Sequence, residues 1–481
     1  MIHLIQNQLL TKLDPRRWGS LAIVLSATFM VILDSFIVNV AAPSIQQDLE
    51  ATSIQLQFIL AGYVLSYAVF LISGGRFGDL FGQKKMFIAG MGGFVAASAL
   101  CGFAPTAEML VLARILQGLA AAIMVPQVLS TIQASFPAEE RPKALGWYGA
   151  ISGIAVVAGQ IAGGLLLHAD LFGLGWRTVF LINLPIGLIA MALSLPFVRE
   201  SMVEGSKKLD LAGLLLSAAG LTAMTFPLVM GREAGWPLWV FFCLAASLLF
   251  LFGFVRYEGR LMKRNGFPLM PATLFAEKSF RFGVLSILAY QGGNAALFLT
   301  LSLFLQEGLS FSPMTSALSF LSIGVGFFLG SMLAPRGVKR WGFRLLPAGA
   351  AVMALSCGYL FYTIHHFGES LQWTHFIPSL FLAGIGQGIV GAPLFTAILS
   401  RVGPNQIGAA SGILSTMMQT ANVLGVAVIG TLYFAVLESS GGAYLAAMYA
   451  ALACILGAAL LTFIQLLLLS KAKEPAPTPS N

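Results

Sequence analysis

Two ionisable residues stand where ionisable residues are hardest to keep. Asp34 lies about two-thirds of the way along Ser20–Pro43, which reads SLAIVLSATFMVILDSFIVNVAAP, and Arg114 lies within a second apolar run at about 109–135. A bilayer span needs about 20 apolar residues, and an acid near its middle costs roughly 2.5–3.5 kcal/mol on insertion scales. Such a carboxylate is retained when it has a task or a partner. Of the chain's 19 acids, Asp34 alone falls within an apolar span on our reading, the others lying in loops or tails. A guanidinium does not usefully deprotonate, so Arg114 needs an anion or several acceptors, and Asp34 is the one intramembrane acid to offer. The competing readings are structural: a helix-to-helix hydrogen bond for Asp34, and ties to carbonyls and hydroxyls for Arg114.

The elements that must position these two are membrane helices. The chain has 481 residues, is 58% hydrophobic and only 10% charged, with mean hydropathy +0.86. A soluble protein of this size carries far more charge. Apolar segments fall at about 18–42, 55–75, 86–104, 109–135, 144–167, 177–198, 211–231, 236–255, 282–306, 314–334, 345–364, 375–400, 408–436 and 443–469. That predicts 14 spans, of helix and not barrel-strand length, with both termini on one side. If that side is the cytoplasm, 24 of the 27 basic residues lie inside and only Arg177 and Arg232 outside, a strong positive-inside bias. The net charge of +8 thus reports orientation in a cell membrane, and no nucleic-acid partner is expected.

Other chemistry finds little support. Cys101, Cys243, Cys357 and Cys454 stand singly in apolar runs, against a disulfide framework or a metal cluster. His365, His366 and His375 read as a solvated loop cluster. The first apolar run is too long for a cleavable signal peptide. No loop shows the nucleophile–base pair of an enzyme.

A faint internal repeat is present. Arg114–Ile–Leu–Gln117–Gly118 returns as Gly384–Ile–Gly–Gln387–Gly388, Ala144–Leu–Gly146 as Ala410–Ser–Gly412, and the loop from Arg76 to Gly82 as Arg336 to Gly342, at offsets of 270, 266 and 260 residues. The organisation expected is an N-terminal six-helix half (1–198), a linker with two extra helices (199–281), a C-terminal six-helix half (282–469) and a disordered cytoplasmic tail (470–481).

Several stretches carry a resemblance. Gly74–Gly75–Arg76–Phe–Gly78–Asp79–Leu–Phe–Gly82–Gln–Lys84–Lys85 resembles the G-x-x-x-D-x-x-G-[RQ]-[KR]-[KR] signature of the major facilitator superfamily. Without the resemblance it also reads as an ordinary short basic loop, with Asp79 placed to meet the N–H groups opening the next helix. Leu33–Asp34 through Asn39 to Pro43 resembles the first-span motif of that superfamily's 14-span drug:proton antiporters, and Arg114–Ile–Leu–Gln117–Gly118 their fourth-span motif. Gly153 through Gly159–Gln160–Ile–Ala–Gly163–Gly164 is similar to the antiporter motif of the fifth span, with Gln160 where Pro is usual. Trp176–Arg177 through Asn183–Leu–Pro185 resembles the family's entry to the sixth span, and Pro268 through Leu274–Phe275 is similar to the segment before its ninth.

The resemblance implies an all-α major facilitator fold and export of lipophilic, neutral or monocationic compounds against protons, driven by the proton gradient with no cofactor, by a monomer in the bilayer. It implies that spans 1 and 4 line a cavity. Arg114 would then modulate Asp34, favouring the charged carboxylate while desolvation favours the neutral acid. The loop residues Gly75, Arg76, Gly78, Asp79, Gly82, Lys84 and Lys85 would take part in the conformational switch. Gly153, Gly159, Gly163 and Gly164 would let the halves slide, although ordinary tight packing explains them almost as well. Polar groups expected on the cavity wall are Asn39, Tyr63, Tyr67, Gln127, Gln160, Tyr290, Gln291, Asn294, Gln387, Gln419 and Asn422. Alternative tasks are export of a specific lipid, siderophore or metabolite, and a non-transporting scaffold or sensor.

Overall fold

Long apolar stretches interrupted by short polar turns leave the backbone one way to satisfy its hydrogen bonds in hydrocarbon, and the chain takes it. A computed structural model describes residues 15–137, 140–201, 210–231, 235–263, 273–403 and 407–471, and all regular structure among them is helical. The expected tail from 472 and residues 202–209 and 264–272 of the joining segments, the Pro268–Pro271 stretch among them, lie outside the described residues. The long helices are α1 (Arg17–Asp48), α2 (Ser53–Phe81), α3 (Gln83–Gly102), α4 (Ala107–Ser135), α5 (Arg141–Ala169), α6 (Asn183–Phe197), α7 (Leu211–Met230), α8 (Leu238–Lys263), α9 (Lys278–Leu303), α10 (Pro313–Trp341), α11 (Leu345–Phe367), α12 (Trp373–Leu399), α13 (Ile407–Ser439) and α14 (Tyr444–Lys471).

By length and apolarity 12 segments qualify as membrane spans, or 13 if the bent pair 143–156 and 161–169 is one span. The expected 14 is not established by this measure. Part of the difference is that 318–367 reads as one segment of 50 residues, although Gly342, at φ +60°, separates α10 from α11. Apolar side chains point outward all along the bundle, with Phe242 and Leu249 each 73% exposed. That is unfavourable in water and neutral in hydrocarbon. The protein is a multi-pass membrane protein.

Helix pairing follows the faint repeat. In the first six helices α1 packs on α5 and α6, α2 on α4, and α3 on α4 and α6; in the last six α9 packs on α13 and α14, α10 on α12, and α11 on α12 and α14. The second set thus reproduces the first after a shift of eight helices. The sets meet through α5 with α10 and α12, and through α2 with α13. The α7–α8 hairpin touches both sets, because α7 lies against α2 and α13, and Phe58 of α2 stacks on Phe226 of α7 at 5.9 Å.

Glycine permits the closest of these contacts. A Cβ on Gly74 would lie 1.9 Å from the Ala122 carbonyl oxygen of α4, and one on Gly118 would lie 2.3 Å from that of Tyr63. Gly384 and Gly388 make the equivalent approach of α12 to α10, at 2.2 Å and 2.4 Å from the Ile323 and Phe327 carbonyl oxygens. Backbones this close gain dispersion contacts that lipid cannot supply. Capping fixes helix starts: Thr52 and Gln55 form a capping box on α2, and the Met109 N–H donates to the Thr106 hydroxyl on α4 at 3.3 Å. Polar clasps hold both ends of α1. Arg17 pairs with Glu140 at 2.8 Å, and Asp48 accepts from Trp176 Nε1 at 2.9 Å and Arg177 at 2.7 Å.

Gly74→Ala is expected to destabilise the protein by about 1–3 kcal/mol, the range for overpacking, through steric conflict with the Ala122 carbonyl. Gly164→Ala, which has no atom within 4 Å of an added Cβ, is expected to leave stability unchanged. Thermal unfolding and size-exclusion profiles of the purified variants check the contrast.

Candidate functional site

Five helices converge on Asp34. Arg114 Nη1 of α4 donates to Asp34 Oδ2 in an ion pair and to Gln117 Oε1 at 2.7 Å, and Arg114 Nε donates to the Ile59 carbonyl of α2 at 3.0 Å. Three residues separate Arg114 from Gln117, which puts them on one face of α4. Gln117 Nε2 and Asn183 Nδ2 each donate to Asp34 Oδ1 at 2.9 Å. The same two amides reach the Ser98 hydroxyl of α3, at 2.7 Å and 3.2 Å. The Arg114 guanidinium lies over the Tyr63 ring, 4.2 Å from its centroid, an added attraction for a cation. Asp34, Ser98, Gln117, Asn183 and Tyr63 are fully buried and Arg114 is 1% exposed. The cluster is charge-balanced, and both carboxylate oxygens are satisfied, the condition for holding an ion pair out of water.

A separate cavity of about 440 Å³ lies between the two helix sets. Its walls come from α1, α4 and α5 on one side and α9, α10, α12 and α13 on the other. Seven aromatic rings line it: Phe36, Tyr148, Tyr290, Phe298, Phe320, Phe327 and Phe395. Phe36 and Phe298 meet across the sets at 6.3 Å, and Phe298 stacks on Phe320 at 5.3 Å. The carboxamides of Gln291, Asn294, Gln387 and Asn422 all come from the second set, and among the described residues no charged side chain lines the space. An apolar cavity of this size with a few polar groups suits a drug-sized organic molecule.

The chain matches the model of the Major Facilitator Superfamily over residues 24–426. It belongs to that superfamily. Among its relatives, the Probable actinorhodin transporter of Streptomyces coelicolor is 40% identical over 89% of this chain and 74% of the relative. The Puromycin resistance protein pur8 of Streptomyces alboniger is 35% identical, over 87% of this chain and 82% of the relative. The Tetracenomycin C resistance and export protein of Streptomyces glaucescens is 32% identical, over 87% and 76%.

Within this Major Facilitator chain the expected site residues divide. Tyr290, Gln291, Asn294, Gln387 and Asn422 line the cavity. Asp34 and Arg114 meet each other but do not line it. On α1 the cavity is faced by Ile32 and Phe36, and positions two apart on a helix are rotated by about 200°, which turns Asp34 the opposite way. Tyr63 and Tyr67 lie off the cavity, buried and stacked 6.2 Å apart. Gln127 is not on the wall either: its Nε2 donates to the Gly74 carbonyl at 2.8 Å and to the Ile123 carbonyl at 2.9 Å, closing α2 on α4. Asn39 is exposed and donates to the Ser35 carbonyl at 3.1 Å. Gln419 accepts from Asn422 at 3.0 Å behind the wall. Gln160 lies on α5, its side chain outside the described set. The common reason is that these helices are apolar all round, so composition carries little sign of which face meets the cavity.

The loop signature and the α5 glycines also differ from expectation. Because α2 continues to Phe81, Asp79 still belongs to α2 and pairs with Arg76 at 3.7 Å. Burial raises the Asp79 carboxyl above its usual range, and Arg76 opposes that rise. Glu200, not Asp79, accepts from the Lys84 N–H opening α3, at 3.1 Å. Lys84 Nζ donates to the Leu195 carbonyl at 2.7 Å, so the end of α6 and Glu200 beyond it dock on this loop. Gly82 makes the turn at φ +101°, Gly78 makes room for Gln127, Gly75 is buried, and Lys85 is exposed. Along α5, Gly153 faces Phe327 of α10 in the other set, whereas Gly159 and Gly163 face Leu33 and Val40 of α1, and Gly164 faces open space. A glycine contact between the sets is therefore confined to the first half of α5.

Gln117, Ser98 and Asn183 were not singled out as site residues. A signal was available, since Asn183 is a lone amide between Ile182 and Leu184 in an apolar run. Glu258, expected in a charged loop, lies within α8 and is 1% exposed.

Arg114→Met leaves the Asp34 carboxylate buried without its counter-charge, and is expected to lower stability by about 3–5 kcal/mol. Asp34→Asn combined with Arg114→Met removes both charges and is expected to recover much of the loss. Denaturant unfolding of the two variants beside the wild type tests the pair.

Proposed function

We propose that the chain exports lipophilic, neutral or monocationic compounds in exchange for protons, by alternating access. The observation that carries this reading is a single ion pair held deep within the first helix set, beside a cavity with no charged lining. The relatives' printed names, a transporter, a resistance protein and a resistance and export protein, support export as the direction of transport. The moving parts are an N-terminal half (1–198) and a C-terminal half (282–469), joined by a linker with two extra helices. The protein works as a monomer in the cell membrane with both termini in the cytoplasm. Its driving force is the proton gradient, with no cofactor.

The chemistry follows from the cluster. Protonating Asp34 removes the charge that holds Arg114, which keeps Gln117 Oε1 and the Ile59 carbonyl as acceptors. The guanidinium is therefore not stranded when its counter-charge is neutralised. In this arrangement Asp34 is closed off from the cavity, so proton exchange accompanies a movement of α1 against α4 and α6. Inward proton release leaves the charged, tightly tied form, in which substrate occupies the cavity. The halves then rock, and protonation from outside helps expel the substrate. Each proton contributes about 2.3 kcal/mol per 100 mV, enough for roughly a fiftyfold gradient of a neutral compound.

In proteoliposomes with an imposed proton gradient, Asp34→Asn is expected to abolish uphill transport of puromycin while leaving downhill counterflow intact. Uphill transport that persists in the variant puts the coupling group elsewhere. Loss of counterflow as well makes Asp34 a structural residue. A wild type that moves no compound supports a scaffold or sensor instead.

A further inference from the structure

The cluster around Asp34 has an uncharged counterpart in the second helix set. At the repeat offsets of 260 and 270 residues, Asn294 stands where Asp34 does, Gly384 where Arg114 does, and Gln387 where Gln117 does. The amide is kept and both charges are gone. At Gly384 the room of an arginine side chain is taken up by α10, an added Cβ lying 2.2 Å from the Ile323 carbonyl oxygen, but space remains beside Asn294 and Gln387. A pocket of about 30 Å³ is lined by Tyr290, Asn294, Ser356, Ser379 and Gln387 together with apolar residues. A water-sized group needs about 10–15 Å³, so the pocket admits about two such groups.

Two observations make it a binding site and not a packing defect. Tyr290, Asn294 and Gln387 line both this pocket and the central cavity, so a molecule in the cavity can reach into it. Gln387 is 5% exposed, yet among the described residues its carboxamide has no hydrogen-bond partner, only its main-chain carbonyl accepting from the Tyr290 hydroxyl at 3.1 Å. Ser356 and Ser379 donate to the Met353 and Phe376 carbonyls, each at 2.9 Å, and keep lone pairs for a further donor. The Gln387 carboxamide thus opens onto the pocket and the cavity, where a group of a bound molecule can meet it.

We propose that this side pocket is a subsite of the central cavity that takes a hydroxyl or carbonyl group at the edge of an uncharged aromatic substrate. The aromatic lining of the cavity accepts the flat rings by offset or edge contact. The Gln387 amide accepts from a hydroxyl or donates to a carbonyl, and neither space offers a counter-charge for a cation. The proposal rests on the export reading for what the cavity is for, and on the side-chain arrangement for what it prefers.

The test is equilibrium binding to the purified full-length protein in detergent, without any gradient, using 2-naphthol, naphthalene and the N-methylquinolinium cation as probes of similar size. Wild type is expected to bind 2-naphthol about tenfold more tightly than naphthalene, the effect of one matched hydrogen bond, and N-methylquinolinium no better than naphthalene. Gln387→Met is expected to bring the affinities for the two neutral probes within twofold of each other. Ser356→Val, which fills the pocket from another helix, is expected to do the same. A hydroxyl preference absent from the wild type or surviving both variants overturns the proposal, as does binding of N-methylquinolinium as tight as that of 2-naphthol. Asp34→Asn is expected to keep the hydroxyl preference. If the preference is found but proton-driven transport is not, the export reading fails and the subsite stands.

Discussion

Burying an ion pair is unfavourable unless the protein replaces the water that both ions lose, and that requirement organises the first six helices. Arg114 and Asp34 meet only if α4 and α1 are in one register. Gln117 and Asn183 satisfy the second carboxylate oxygen only if α6 is in place, and the Ser98 hydroxyl that both amides share adds α3. The Ile59 carbonyl brings in α2. A slip of one residue in any of these helices rotates its contribution by about 100° and leaves a buried polar group without a partner. Apolar packing against lipid-like surroundings cannot supply this discrimination, because every face of such a helix is equally content.

The glycines give the complementary constraint. At α2–α4 and α10–α12 backbone carbonyls lie where a Cβ would otherwise be, so these pairs are fixed by shape and not by charge. The recurrence of Gly118 as Gly388, in the same kind of interface, gives the repeat a physical content: it preserves backbone approach. Where the repeat departs, from Arg114 to Gly384, it departs in charge. One set holds an ionisable centre and the other an open, uncharged pocket built on the same helix pairing.

How much of this was legible beforehand follows from the same physics. The Asp34–Arg114 partnership was readable because an acid and a base isolated in apolar runs have few alternatives. The direction in which Asp34 points was not, since α1 has apolar residues on all sides and both Ile32 and Asp34 are plausible cavity residues from sequence. For the same reason Tyr290 and Gln387 could not be told from Tyr63 and Gln127, which pack inward. Asp79 was misplaced because the end of α2 is set by the single-residue turn at Gly82, and a glycine-rich loop does not reveal where its helix stops. Glu258 reads as a loop residue in the sequence because hydropathy falls along α8 before the helix ends. The faint repeat, by contrast, relates residues that lie in corresponding interfaces, as Gly118 and Gly388 do, because it records small residues where helices touch.

The separation of the ion pair from the cavity constrains how the two could be coupled. Asp34 cannot sense a bound molecule by contact, because Ile32 and Phe36 stand on the cavity side of α1 while the carboxylate faces α4 and α6. Linkage would then pass through the helices that bear both a cluster residue and a cavity residue, α1 and α4. Gly159 and Gly163 let α5 lie directly against the cavity-facing half of α1, and α5 in turn meets α10 through Gly153 and Phe327, itself a cavity residue. A shift of α1 driven by gain or loss of charge at Asp34 would thus move the cavity wall and the contact between the sets together. On the antiport reading proposed above, electrostatics on one face of a helix and shape complementarity on the other would join proton and cargo without a shared site.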